Sequence, residues 1–235
     1  MAMLRRSVVN RSIELAQEHF ARHGLHLPPF AFWRAADWAV KGPEADEIRD
    51  CMLGWDVTDF GYGQFDVLGR ILFTLRNGKG NGRYPKSYAE KFILDPPGQR
   101  APLHYHRRKR EDIINRGQSG VIVIELRAAD AQGQPSDGPF AVQVDALTRH
   151  FDRGPARVHL EPGQSICLPP GLMHQFWGED GGGIAVSGEV SSVCDDVNDN
   201  VFIGEAKVRF PGIEEDEPRR WYLCHEYPRG GASGA

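Results

Sequence analysis

The chain is 235 residues long, and its 28 basic against 32 acidic side chains leave a formal net charge of −4. That balance argues against a general nucleic-acid binder, which would carry a basic stripe, and no apolar run approaches the roughly 18 residues of a membrane-spanning helix. Apolar side chains make up 40% of the chain, enough for a packed core and too many for disorder along the whole length.

Near the start, Val9, Ile13, Ala16 and Phe20 fall on one helical stripe. An amphipathic helix is expected there, with Ser7 as its cap and Gly24 as its left-handed end. Asn10, Arg11, Ser12 and Glu14 stand where a secretory signal would need its apolar segment. The four cysteines, Cys51, Cys167, Cys194 and Cys224, form no C-x-x-C pair and read as reduced thiols of a cytoplasmic protein. Pro28-Pro29 forbids helix, an aromatic cluster (Phe30, Phe32, Trp33, Trp38) follows, and Pro43 suits the start of a second helix through Glu44, Glu47 and Ile48 towards Gly54.

From about Phe65 the pattern changes to short β-rich runs: Val67 to Leu75, Tyr88 to Leu94, Val121 to Leu126, Phe140 to Val144, Val158 to Leu160, Ser165 to Leu168 and Ile184 to Val190. Turn signals such as Asn77-Gly78, Pro162-Gly163 and Pro169-Pro170-Gly171 separate them, and Asp130 to Gly138 reads as a polar loop. Such punctuation indicates a mainly β fold, an antiparallel sandwich or barrel, with helical decoration in the N-terminal quarter. No linker divides the chain.

Two segments carry the chemistry. In GQRAPLHYHRRKREDIINRG (98–117), His104 and His106 are two apart, so on an extended strand both imidazoles project from one face. Glu111 follows five residues after His106, room enough for a bend that returns a carboxylate to that face. In GQSICLPPGLMH (163–174), a glycine turn, a strand and a Pro-Pro-Gly corner lead to His174 at the start of the next strand. Three neutral imidazoles and a carboxylate suit divalent Mn, Fe, Co, Ni or Zn, and on an octahedral ion they leave two positions open. The absence of cysteine from the set argues against a closed structural zinc site. His19 and His23, one helical turn apart, read as a solvated helix face, and the run Arg107, Arg108, Lys109, Arg110 as a solvated turn.

The two segments resemble the paired motifs of the cupin superfamily, G-x5-H-x-H-x4-E and G-x5-P-x-G-x2-H. Gly117 comes one residue earlier after Glu111 than is usual, and Gly178 stands where many cupins have asparagine. Nearly the whole chain also resembles the D-lyxose isomerase family of cupins. The matching stretches include HGLHLPPFAFW (23–33), GPEADEIRDCMLGWDVTDFG (42–61), LFTLRNG (72–78), YAEKFIL (88–94), EDIINRG (111–117), GEVSSVCDDVNDN (188–200) and RFPGIEEDEP (209–218).

The resemblance implies a cupin-type antiparallel β-barrel, with residues 1–60 a helical extension packed on it and residues 65–228 the barrel and C-terminal segment. It also implies an aldose–ketose isomerase, typically Mn2+-dependent and homodimeric, with His104, His106, Glu111 and His174 holding the metal. Zn2+, Co2+, Fe2+ and Ni2+ fit the same ligand types. The implied substrates are the free sugars D-lyxose and D-xylulose, with D-mannose and D-fructose as a second pair, and neither nucleic acid nor membrane is an expected partner.

Isomerisation by proton transfer through a cis-enediol needs a base beside the carbon-bound proton. Glu205 or Asp216 is expected in that role, Glu205 ahead. By strand alternation Lys91 faces opposite to Glu90 and Phe92; pointing inward, it would donate to a sugar oxygen and shuttle a hydroxyl proton. Glu189 is expected to bind sugar hydroxyls or to orient a ligating histidine, and Trp33, Trp55 and Phe176 to wall the cavity. Three other functions share these features. The Arg107 to Arg110 run suits a phosphosugar isomerase, the ligand set suits an Fe(II) dioxygenase, and a sugar-binding cupin without catalysis would carry the same site.

Overall fold

The computed structural model describes residues 3–204 and 208–229. In chain order its strands are β1 (Leu4–Arg5), β2 (Gly54–Thr58), β3 (Arg70–Arg76), β4 (Tyr88–Asp95), β5 (His104–His106), β6 (Glu111–Asn115), β7 (Ile122–Ala129) and β8 (Pro135–Ser136). They continue with β9 (Phe140–Val144), β10 (Leu147–Phe151), β11 (Ala156–Leu160), β12 (Ser165–Leu168), β13 (Met173–Gly178), β14 (Ala185–Ser192), β15 (Asn200–Phe202) and β16 (Ile213–Glu214). One sheet runs β10-β9-β12-β6-β14-β4-β3-β2, and a second runs β11-β7-β13-β5-β15 with β8 beside β7. Every pairing within these two sheets is antiparallel, while β1 and β16 form a small parallel pair. This is the mainly β, cupin-type architecture. Among the described residues no helix is long and apolar enough to cross a membrane.

Helix α1 (Arg6–Arg22) ends as its sequence predicts and begins differently. Gly24 adopts φ +73, and the Gly24 and Leu25 N–H groups donate to Ala21 and Phe20 carbonyls at 3.0 and 2.8 Å, the hydrogen bonding of a Schellman end. Ser7, however, is not the cap: Arg5 holds that position without a side-chain bond. The Ser7 N–H and hydroxyl instead donate to Asp216 at 2.8 and 2.6 Å, so a carboxylate 209 residues away satisfies this end of the helix.

The next segment departs further from expectation. The Pro28-Pro29 region contains a short 3-10 turn at Pro29–Phe32, with proline at its start, where a missing N–H costs nothing. Helix α2 (Ala35–Ala39) follows. The helix expected from Pro43 is a 3-10 turn at Pro43–Ala45 continued by α3 (Asp46–Asp50). It stops short of Gly54 because Met52 and Gly54 take positive φ and turn the chain into β2, an edge strand of the larger sheet. The N-terminal quarter is therefore not purely helical.

Alternation sorts the larger sheet into two faces. Its outer face presents Trp55, Val57, Ile71, Phe73, Phe92, Leu94 and Val186 to the Val9, Ile13, Ala16 and Phe20 stripe of α1. Its inner face meets the second sheet through Leu72, Ile93, Ile113, Val144, Ile166 and Leu168 against Ile122, Ile124, Leu126, Val158, Leu160 and Phe176. Gly178 is explained by a close backbone approach. A Cβ there would lie 2.3 Å from the Asp95 carbonyl oxygen, and Pro97 bridges to the same residue.

Candidate metal centre and active site

On the inner face the apolar filling gives way to charge. Glu189 on β14 lies opposite both Lys91 on β4 and Ile113 on β6. Two residues along, Ser191 lies opposite Glu111. The second sheet brings His174 on β13 opposite His104 on β5, and His106 shares the face of His104 two residues on. Strand register brings together the four residues expected to hold a metal. All four are buried.

Each imidazole is fixed through Nδ1. His104 donates to the Pro102 carbonyl at 2.8 Å, His174 to the Leu172 carbonyl at 3.0 Å, and His106 to Asn200 Oδ1 at 2.8 Å. With the ring proton on Nδ1, Nε2 is left as a lone pair. The His106 and His174 Nε2 atoms then face Glu111 Oε1 at 3.2 and 2.9 Å, and His174 Nε2 is buried without a hydrogen-bond partner. Lone pairs on three sides with no proton between them are the environment of a cation. Ligand atoms of His104, His106 and His174 all lie within 4.8 Å of one another. The electrostatics agree. Burial and the adjoining imidazoles push His104 well below the ordinary histidine range, and burial lowers His106 against the pull of Glu111. Burial alone would raise Glu111, yet the Lys109 ammonium beside it holds it well below the carboxylate range. His104 and His106 are therefore favoured neutral beside an ionised Glu111, the protonation a divalent ion requires.

Beside these ligands runs a buried chain of charges. Lys109 Nζ is 2.6 Å from Glu111 Oε2 and 2.9 Å from Glu189 Oε1. Lys91 Nζ is 3.2 Å from Glu189 Oε1 and 2.9 Å from the Cys194 sulfur. Burial would raise Glu189, but Lys109 and Lys91 together lower it. Burial and Asp196 push the Cys194 thiol up to about 12, so it is a neutral donor to Asp196. Lys91, Lys109, Glu111, Glu189 and Asp196 line a cavity of about 60 Å³ with His104, His106, Phe60, Arg70, Phe176, Phe202 and Arg209, room for a few waters or the polar part of a small ligand. A groove of about 830 Å³ shares Lys91, Lys109 and Asp196 with it.

The expected site residues fare differently. Lys91, Glu189 and Phe176 line the cavity together with His104, His106 and Glu111. Trp55 does not: alternation on β2 turns Asp56 to the inner face and sends Trp55 outward, where its indole donates to the Ala31 carbonyl at 2.8 Å and packs on Phe20 and Phe73. Asp216 is an exposed group satisfying the start of α1, and it does not line the cavity. Glu205 lies outside the described residues. Cavity-wall residues that sequence reasoning passed over include the polar Lys109, Asp196, Asn200, Arg70 and Arg209 and the rings of Phe60 and Phe202. For Lys109 a signal existed, since i and i+2 spacing places it on the Glu111 face of an extended chain. The basic run is not one patch: Arg108 is exposed beside Asp199, Arg110 reaches Cys167, and Lys109 dives inward.

Known proteins resemble this chain along nearly its full length. A D-lyxose/D-mannose isomerase of Serratia proteamaculans is 46% identical over 225 residues, 95% of this chain and 97% of the relative. One of Escherichia coli O157:H7 is 45% identical over 226 residues, covering 95% and 98%. Among solved structures, an L-ribose isomerase of Cellulomonas parahominis with L-ribose shares the fold with a TM-score of 0.59 at 15% identity, covering 90% of this chain and 98% of its own. A model of the D-lyxose isomerase family matches residues 4–227. With that match and two relatives above 40% identity, the chain belongs to the D-lyxose isomerase family.

Proposed function

We propose that the protein is a divalent-metal-dependent aldose–ketose isomerase of free sugars, interconverting D-lyxose and D-xylulose and, as a second pair, D-mannose and D-fructose. The observation that carries this reading is the set of proton-free Nε2 atoms turned on Glu111, with His174 Nε2 buried and unpartnered. Family membership supports the sugar class, and Mn2+ is the favoured ion. His104, His106, Glu111 and His174 would hold it. When bound, a divalent ion supplies Lewis-acid polarisation of a sugar carbonyl and its neighbouring hydroxyl.

Among the described residues three carboxylates line the cavity: Glu111, a ligand in this reading, Asp196, tied to Arg209, Cys194 and Asn200, and Glu189. Of these Glu189 is left, and we assign it the proton transfer. Its carboxylate takes the proton from C2 of the aldose, the C–H electron pair forms the C1=C2 bond, the carbonyl π pair moves onto O1, and O1 gains a proton from the Lys91 ammonium. The resulting cis-enediol gives its C2 hydroxyl proton back to Lys91 as the C2 carbonyl forms, while the C1=C2 pair takes up at C1 the proton held by Glu189. Lys91 and Lys109 keep Glu189 ionised and hold its oxygens in place, and their ammonium groups supply hydrogen-bond donors for sugar oxygens. Phe176 closes the apolar wall. The sugar is expected to enter through the groove that shares Lys91, Lys109 and Asp196, and the active form is expected to be a homodimer.

The test is isomerisation of D-lyxose by Mn2+-loaded protein in D2O. Turnover with deuterium incorporated at the transferred position, lost together with bound metal in Glu111→Ala and His174→Ala, is the expected result. Turnover without any exchange would replace proton transfer by hydride shift, and absence of turnover on every free aldose tried would overturn the function.

A further inference from the structure

Arg209 opens the RFPGIEEDEP stretch and has no part in the proton transfer described above. Its place is nonetheless built with care. The Thr58 hydroxyl donates to its backbone carbonyl at 3.0 Å, fixing the segment against β2. Its Nη2 donates to Asp56 and lies 3.6 Å from Asp196 Oδ2. The guanidinium lies 5.5 Å from the Phe60 ring centroid and 4.7 Å from that of Phe210. Phe60 in turn packs on Phe202, and Phe202 on His104, with ring centroids 5.5 and 5.4 Å apart. Two aromatic layers thus separate Arg209 from the metal ligands along one wall of the same cavity.

One end of this guanidinium is anchored and the other is not. Nη1 is fully buried and has no hydrogen-bond partner among the described residues. A buried N–H of a charged group is costly to leave without an acceptor, and the Asp56 and Asp196 carboxylates at the other end hold the guanidinium from turning elsewhere. A polyhydroxylated open-chain sugar has one reacting end and a distal end whose hydroxyl oxygens are acceptors. Phe60 and Phe202 offer the intervening carbons an apolar wall but no hydrogen bond.

We infer that Arg209 is a specificity-determining residue whose Nη1 donates to a distal hydroxyl of the sugar, on carbon 4 or carbon 5, while the reacting carbons lie at the histidine end. This rests on the isomerase function proposed above. Asp56 and Asp196 act as positioning groups that aim the guanidinium.

The experiment compares wild-type protein with Arg209→Lys, which keeps the buried positive charge, on D-lyxose and its 4-deoxy and 5-deoxy derivatives. The expected result is a fall in kcat/KM of about 10–100-fold for Arg209→Lys on D-lyxose, the range for losing one hydrogen bond between a substrate hydroxyl and a charged group. With one of the two deoxy sugars that penalty shrinks to within about threefold. Wild-type protein alone discriminates against the same deoxy sugar by a comparable factor, so the outcome stands even if the variant folds poorly. Equal penalties on all three sugars, or no wild-type discrimination against either deoxy sugar, would overturn the assignment while leaving the isomerase function intact. No wild-type turnover of D-lyxose at all would remove that function, and this assignment with it.

Discussion

Lys109 offers a quantitative test of how the site is held together. Its ammonium is 2.6 Å from Glu111 and 2.9 Å from Glu189, with the lysine and Glu111 side chains each 3% exposed. In Lys109→Met, Glu189 keeps Lys91 at 3.2 Å, so Glu111 is the carboxylate left bare. Removing one partner of a buried ion pair costs about 3–5 kcal/mol, and the surviving Lys91 contact places this case near the lower end. With a urea dependence of about 1–3 kcal/mol per molar, the midpoint falls by roughly 1–3 M. The assay is urea unfolding in chelator, followed by circular dichroism, for Lys109→Met and for its neighbour Arg108→Met. The Arg108 side chain is 76% exposed and reaches Asp199 at 3.4 Å, while the backbone N–H bond to the same carboxylate survives the substitution, so loss of the side chain costs below about 1 kcal/mol. Saturating Mn2+ restores a counter-charge to Glu111 and narrows the Lys109→Met deficit. Equal midpoint shifts for the two variants would refute the claim that Lys109 is the internal counter-ion of this carboxylate.

Other consequences follow from the same geometry. Asn200→Leu removes the acceptor that fixes the His106 ring and is expected to weaken Mn2+ affinity by about 10–100-fold, read by competition with a fluorescent chelator. Asp216→Asn is expected to lower the melting temperature by loosening the Ser7 contact while leaving kcat within about twofold, as for a residue remote from the chemistry; a collapse of kcat with metal content unchanged would restore Asp216 as a base. Trp55→Ala is expected to cost about 3–5 kcal/mol of stability through the cavity it leaves under α1, with KM for sugar unchanged in the folded fraction. Hydrogen bonds from Arg6 lower Glu215 from its ordinary 4.5 to about 2. A depressed folded value means that its stabilisation is complete above about pH 4.5 and fades as pH falls towards 2. The loss is about 1 kcal/mol once solvent screening of this half-exposed carboxylate is allowed for, and Arg6→Met should flatten that part of the stability–pH curve.

The three clustered histidines were legible because H-x-H on a strand and the Pro-Pro-Gly corner before His174 are local patterns; that strand register then sets His174 opposite His104 was not. Phe140 to Val144 and Ser165 to Leu168 were legible to the residue, since apolar runs between strong turns coincide with β9 and β12. β6 and β10 were not. Glu111–Asn115 mixes charged and apolar residues because its inner face carries the buried Glu111 and Asn115 beside Ile113, and Leu147–Phe151 is an edge strand with little burial to imprint a pattern. Trp55 and Asp56 show the remaining difficulty. A one-residue difference in facing decides which side chain reaches the cavity, and only the pairing of Trp55 with Phe73 and of Asp56 with Leu72 fixes it. Lys109 was hidden by its company, because three exposed arginines around it make the run read as solvent-facing. Asp196, Asn200 and Arg209 reach the cavity from loops and the short strand after β14, where no periodicity announces an inward side chain.

The most direct measurement is pulsed electron paramagnetic resonance of protein carrying one equivalent of Mn2+, in water enriched in oxygen-17, before and after addition of D-lyxose. Nitrogen couplings from three imidazoles are expected, each lost singly in His104→Ala, His106→Ala and His174→Ala, together with water-oxygen coupling that falls when the sugar is added. Couplings indifferent to those substitutions, or ion-bound water indifferent to the sugar, would contradict the proposed centre.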